Sequence, residues 1–240
     1  MKFVEESYGR FLRLSFAFLN PFKKAVIKTQ CQVHKHLNVQ SLLVLNNDGY
    51  TEISNFFRGY LIPLNNGAVW ADQDFKSSQH FYNPHTKKGL YGRLNANDLG
   101  LGYYEKALDL WKIGEYDKSI YYFGAAVHIL QDMTIPQHAN VRLLDNHRQY
   151  ETFVKKTYRY VEEFKAEKGI LLFDSYEDYI RFNTRTAMKV YKRFKKINED
   201  QQRFYRITKC ILPLAERTTA GCMITFYNSI FNEADQTKYH

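Results

Sequence analysis

Apolar and polar positions along the 240-residue chain recur with a helical rather than a strand-like period. In HKHLNVQSLLVL, residues 34–45, apolar side chains fall at 37, 42, 44 and 45, and the breaker NNDG follows. That spacing predicts a helix over 34–45 that stops at the glycine. A second helix is predicted from Gly49 to Leu64. Residues 65–93, NNGAVWADQDFKSSQHFYNPHTKKGLYGR, mix glycine, asparagine, serine and aromatics without a period. They predict a long ordered loop, and such loops in compact domains often carry function. Helices follow near 95–113 and 118–132, split by IGEYD, then near 147–166, 175–196 and 200–232, with loops around KGILLF and KINED. Pro213 predicts either a kink in the last helix or its start.

The stretch ALDLWKIGEYDKSIYYFGAAV, residues 107–127, resembles one tetratricopeptide-type hairpin. No second copy follows at the expected period, and a lone repeat cannot bury its face by stacking. Two antiparallel helices meeting at a common turn sequence is the simpler reading. With only 12 glycines and 5 prolines there is little turn chemistry, which favours helices over a sheet-rich sandwich. An apolar fraction of 45% supports a real core and excludes general disorder. The expected architecture is therefore all-α, one mostly helical domain over residues 34–240, preceded by an amphipathic extension over 1–33.

The formal charge of +9 suits an anionic bilayer, a nucleic acid or a phosphorylated substrate without choosing among them. The three cysteines, Cys31, Cys210 and Cys222, are too few and too scattered for a disulfide framework. The apolar patch from Phe11 to Phe22 is interrupted by Arg13 and preceded by Arg10, Glu5 and Glu6. It is neither a signal-peptide core nor a membrane span. Packing on the domain is the plainer expectation for it, and contact with a membrane surface the sharper one.

Chemistry concentrates in HILQDMTIPQHANVRLLDNHRQYE, residues 128–151, which hold three histidines, two aspartates and a glutamate. His128 and Asp132 are four apart, as are His147 and Glu151, so each pair shares a helix face one turn apart. Imidazole and carboxylate at that spacing can aim two ligands at one ion, and His138 lies in the turn between the pairs. The loop offers Asp72 and His80, and the first helix offers His34. His85 and His240 belong to no such pattern. Spacing alone leaves helix-surface hydrogen bonding as an alternative and names no reaction.

The ordered combination GAVWAD, HFYNP, YFGAAVHILQDMTIPQHAN and HRQYETFV, preceded by His34 and followed by AERTTAG at 215–221, resembles the zinc-dependent phospholipase C family, relatives of the P1-type single-strand nucleases. The likeness runs from about residue 34 to about 154. It implies a mostly α-helical domain and a cluster of up to three zinc ions. One ion would take Asp72, His80, His128 and Asp132; Asp132 would bridge to a second, also held by His34; the third would take His138, His147 and Glu151. The implied reaction is hydrolysis of a glycerophospholipid to diacylglycerol and a phosphorylated headgroup, through water made acidic by zinc, with Asp72 as ligand and as base or orienter.

Two departures stand out. The family's secreted enzymes complete the His34-type site with a mature N-terminal tryptophan, whereas no tryptophan here precedes Trp70. Cys31 and His36 are the substitute donors within reach. Gln73 and Ser77 stand where choline-selective members carry aromatics, which argues against a preference for choline headgroups. Expected partners are phospholipid or a membrane surface; nucleic acid belongs to the nuclease alternative. A non-enzymatic helical scaffold is the third reading, and no obligate protein partner is evident. Family members are typically exported, yet no clear signal peptide or transmembrane helix is found.

Overall fold

The C-terminal part of the helix that carries His128 is buried all round, and the molecule is arranged about it. The computed structural model describes residues 31–73, 79–90, 95–141 and 146–236. The expected extension over 1–33, with its Phe11–Phe22 patch, lies outside them except for residues 31–33. Among the described residues there are nine α-helices and no strand, only an isolated bridge between Asn83 and Lys88. They are α1 (Gln32–Asn47), α2 (Thr51–Gly59), α3 (Leu61–Ala71), α4 (Ala96–Lys112), α5 (Tyr116–Asp132), α6 (Pro136–Ala139), α7 (His147–Thr157), α8 (Tyr176–Phe194) and α9 (Asp200–Gln236). None is long and apolar enough to cross a membrane.

From Phe123 to Asp132 every residue of α5 is buried, the mark of a helix packed on all sides. α3 and α4 lie along it. α4 and α5 form the hairpin predicted for 107–127; Gly114, at φ +79°, supplies the left-handed turn between them. α3 and α5 run side by side in the same direction at backbone contact. A Cβ on Gly67 would lie 1.7 Å from the Tyr121 carbonyl oxygen, and one on Gly124 would lie 2.0 Å from that of Leu64. Only glycine permits this approach. Asp72, just past the end of α3, is thereby level with the last turns of α5.

Three boundaries differ from expectation. The helix predicted over Gly49–Leu64 is two helices broken at Tyr60. Pro63 explains the break, because in a continuous helix its ring would meet the carbonyl of Gly59, the last residue of α2. The loop predicted from 65 starts only after Ala71. Asn65 and Gly67 looked like turn residues, but Asn65 accepts a hydrogen bond from Asn38 at 3.0 Å and Gly67 is required by the α3–α5 contact. The helix predicted over 147–166 stops at Thr157, followed by a short 3-10 turn at Glu162–Phe164. There the Ala166 N–H donates to the Glu216 carboxylate instead of continuing a helix. α9, by contrast, runs unbroken past Pro213.

The apolar side chains gather in two clusters. One joins Leu42, Val44 and Leu45 of α1 and helices α2–α5 with α8 and the end of α9. The other joins Leu37 of α1 to Tyr150, Val154 and Tyr158 on and just beyond α7, and to Phe204, Ile207 and Ile211 of α9. His128 and Asp132 project from the first and His147 and Glu151 from the second, so the predicted ligands lie where the clusters meet.

Glu216 is fully buried, and burial pushes its carboxyl up to about 8 despite the Ala166 N–H and nearby Arg217 and Lys165. Its folded value exceeds its ordinary one of 4.5, so the folded state holds the extra proton between pH 4.5 and 8 and stability falls as pH rises across that window. Glu216→Gln keeps an acceptor for Ala166 and removes the titration. The melting-temperature difference between variant and parent, at fixed zinc, is expected to shift toward the variant from pH 5 to pH 8. Parallel pH profiles would contradict this.

Candidate metal centre

α5 ends on two ligand candidates one turn apart, with His128 Nε2 3.2 Å from Asp132 Oδ2. Both are buried, and Asp132 is the last residue of the helix, where the unsatisfied carbonyls make a carboxylate unwelcome. His80 compensates, with Nδ1 2.8 Å from Oδ2, while His34 Nε2 lies 3.5 Å from Oδ1. Burial by itself would raise the Asp132 carboxyl; His128, His138 and the hydrogen bonds from His128 and His80 outweigh it and hold the group well below the usual carboxylate range.

His34 enters from the first turn of α1, and its ring stacks on that of His128 with centroids 3.9 Å apart. Burial, then the neighbouring His128, brings its value down to about 4, so the ring is neutral at physiological pH. His80 is held by two backbone contacts around it. Its own carbonyl accepts from His138 Nδ1 at 2.6 Å, and the Tyr82 N–H donates to the His138 carbonyl at 3.2 Å. The second of these ties the otherwise irregular HFY segment to α6. α6 itself begins on Pro136, whose missing N–H suits a first helical position.

The remaining donors lie on the far side of His80. His138 is covered by Phe81, stacked at 4.7 Å, and meets the His147 ring edge-on at 4.9 Å. His147 opens α7 after Asn146, which adopts φ +52°, and its Nε2 lies 3.1 Å from Glu151 Oε1. Burial would raise the Glu151 carboxyl, but His147 and His138 bring it below its ordinary value, as Lys155 also does.

The predicted ligands thus converge in three sets of donors within 4.8 Å of one another: His34, His128 and Asp132; Asp72, His80 and His128; and His138, His147 and Glu151. His128 belongs to the first two, so those sets share a wall. His80 Nε2 is buried without a hydrogen-bond partner, and such a nitrogen beside carboxylates fits a cation that fills the gap. The donor chemistry, imidazole and carboxylate only, fits zinc.

The other candidates fall outside these sets. Cys31 is buried at the start of α1, with Sγ 3.9 Å from Asp72 Oδ2; burial first, then Asp72 and Asp132, pushes its thiol up to about 12. His36 packs edge-on against Tyr158 at 4.9 Å. His85 is exposed, its backbone N–H bonded to the Asn83 side chain. Gln73 is half-buried beside Asp72, and Ser77 and His240 lie outside the described residues. Spacing arguments passed over Gln131, although HILQD places it inside the motif; its Oε1 lies 2.8 Å from His34 Nδ1.

Comparison with known proteins bears on the family and the fold. The chain is 26% identical over 203 residues to a phospholipase C of Clostridium novyi, covering 72% of this chain and 51% of that protein. It is 27% identical over 137 residues to a phospholipase C of Listeria monocytogenes, covering 53% and 46% respectively. The chain thus spans about half the length of these curated relatives. Among solved structures, the alpha-toxin of Clostridium absonum superposes with a TM-score of 0.72 at 17% identity, covering 84% of this chain and 64% of the toxin, and so shares the all-α fold. The profile of the zinc-dependent phospholipase C family matches residues 33–205, and the chain belongs to that family.

Proposed function

We propose that this chain is a zinc-dependent phosphodiester hydrolase, a phospholipase C that cleaves a glycerophospholipid to diacylglycerol and a phosphorylated headgroup. The observation that carries this reading is the convergence of three adjoining donor sets, two of them sharing His128. Zinc bound there would acidify a water molecule and neutralise charge on the phosphate oxygens. His128 stands in the wall the first two sets share, and Asp132, engaged by His80 and His128, supplies the carboxylate of the His34 set. Asp72 is only half-buried and so is reached from solvent, which makes it the carboxylate to orient the attacking water and take its proton. His138, His147 and Glu151 hold the charge on the opposite flank. In the net reaction the water oxygen stays on phosphorus, the bond to the glycerol oxygen breaks, and that oxygen leaves with a proton.

The nuclease alternative gains no support from the comparisons, and the imidazole and carboxylate donors tell against the scaffold. Protein purified without chelator should contain zinc, up to one ion for each of the three sets. It should release diacylglycerol from phospholipid vesicles, lose that activity to a chelator and regain it with zinc, and leave single-stranded DNA intact. Turnover that survives metal removal would sink the proposal, and cleavage of the DNA alone would hand it to the nuclease.

A further inference from the structure

We infer that Gln131 is a positioning residue that fixes the tautomer of His34 and so decides which of its nitrogens faces the metal. The Gln131 side chain is buried, and its amide is held from two directions. Nε2 donates to Asn38 Oδ1 at 2.9 Å and to Thr219 Oγ1 at 3.2 Å. Asn38 is oriented in turn, since its Nδ2 donates to Asn65 Oδ1 at 3.0 Å. Asn38 and Thr219 are both fully buried, so water cannot substitute for either partner.

Reversing the Gln131 amide would set its oxygen against the Asn38 oxygen, two acceptors in contact, at a cost of about 1–3 kcal/mol for each group left unsatisfied. The relay therefore directs Oε1 at His34, 2.8 Å from Nδ1. A carbonyl-type oxygen can only accept, so Nδ1 carries the hydrogen. His34 Nε2 is then the nitrogen with the free lone pair, 3.5 Å from Asp132 Oδ1. Two acceptors face each other across that gap, which a cation between them resolves. Ligating histidines commonly donate their other ring N–H to such an acceptor, which fixes both tautomer and ring orientation.

The relay also accounts for a distant motif. Thr219 belongs to AERTTAG of α9, and through Gln131 it reaches the site 88 positions earlier in the chain. The inference rests on the reading of His34 as a zinc ligand, but its first test needs no metal.

Long-range proton–nitrogen NMR of the metal-free protein, labelled in histidine and assigned with the aid of His34→Gln, should show His34 as the Nδ1–H form. Gln131→Leu cannot accept a hydrogen bond. In that variant His34 should move to the Nε2–H form, and zinc competition with a chromophoric chelator should show one ion weakened by about 10- to 100-fold while the remainder hold. Gln131→Glu keeps an acceptor for His34, at a stability cost because its second oxygen meets Asn38 Oδ1 where Nε2 had donated, and should restore both the Nδ1–H signature and the ion. A metal-free parent in the Nε2–H form would overturn the inference, as would a Gln131→Leu protein with unchanged signature and zinc affinities. Should Gln131→Leu fail to fold, the parent and the Gln131→Glu spectra decide between the two. A parent in the Nδ1–H form that binds no zinc would defeat the proposed function while leaving Gln131 in its positioning role.

Discussion

Replacing Asp132 with alanine is expected to remove zinc from the shared sites and to reduce phospholipid hydrolysis by about 10³-fold or more, equivalent to roughly 4 kcal/mol of lost stabilisation of the transition state. The carboxylate lies within 2.8 to 3.5 Å of His80, His128 and His34, which approach it from three different elements of the fold. Without it, the set of stacked His34 and His128 rings has no carboxylate of its own to balance a divalent cation. The Asp72, His80 and His128 set depends on Asp132 through its contacts to His80 and His128, whereas the set at His138, His147 and Glu151 neither includes Asp132 nor pairs with it, and should keep its ion. Elemental analysis should therefore find zinc reduced rather than absent. Addition of zinc should also raise the variant's melting temperature by less than it raises the parent's, because each site lost removes one binding contribution to stability. A variant with its full zinc complement and parental turnover would show that the convergence on Asp132 is not the basis of the chemistry.

Much of this arrangement was legible in the sequence, for a physical reason. The i, i+4 pairs His128/Asp132 and His147/Glu151 declare a shared helix face locally, and the structure brings both pairs together on helices that start or end where the pattern placed them. The α4–α5 hairpin was likewise a local matter of turn chemistry. What escaped notice depended on distant partners. The stop of α7 at Thr157 comes before a segment held by Glu216, 50 positions beyond the Ala166 that it captures. Gln131 reads as a polar residue at the end of an apolar helix until Asn38 and Thr219 are found against it. The break at Tyr60 was available locally, since Pro63 marks it four residues after Gly59, but the apolar run YLIPL concealed it. Asn65 and Gly67 looked like loop residues because the same side chains that suit turns also suit a buried amide relay and a close helix contact.

That contact carries the largest expected effect on stability. A methyl group at Gly124 would sit 2.0 Å from the Leu64 carbonyl oxygen, where ordinary contact requires about 3.5 Å. The obstacle is main chain, so no side-chain rotation relieves it, and α3 must move away from α5. Overpacking of this kind costs about 1–3 kcal/mol and at times more. At the upper end, in a chain of this size, Gly124→Ala should melt about 6–12 °C below the parent. The same shift moves Asp72, at the end of α3, relative to His128, and a displacement near 1 Å can cost about 100-fold in rate. Activity measured well below the melting point should therefore fall in a protein that remains folded, together with zinc affinity at the Asp72 set. Gly102→Ala, also in a helix but with no atom within 4 Å of the added carbon, is the control. It should hold or gain stability by about 0.5–1 kcal/mol with activity unchanged. If Gly124→Ala instead melted with the parent and kept its rate, the alignment of Asp72 with α5 would not depend on the glycine contact, and the loop after Ala71 would have to be what places that carboxylate.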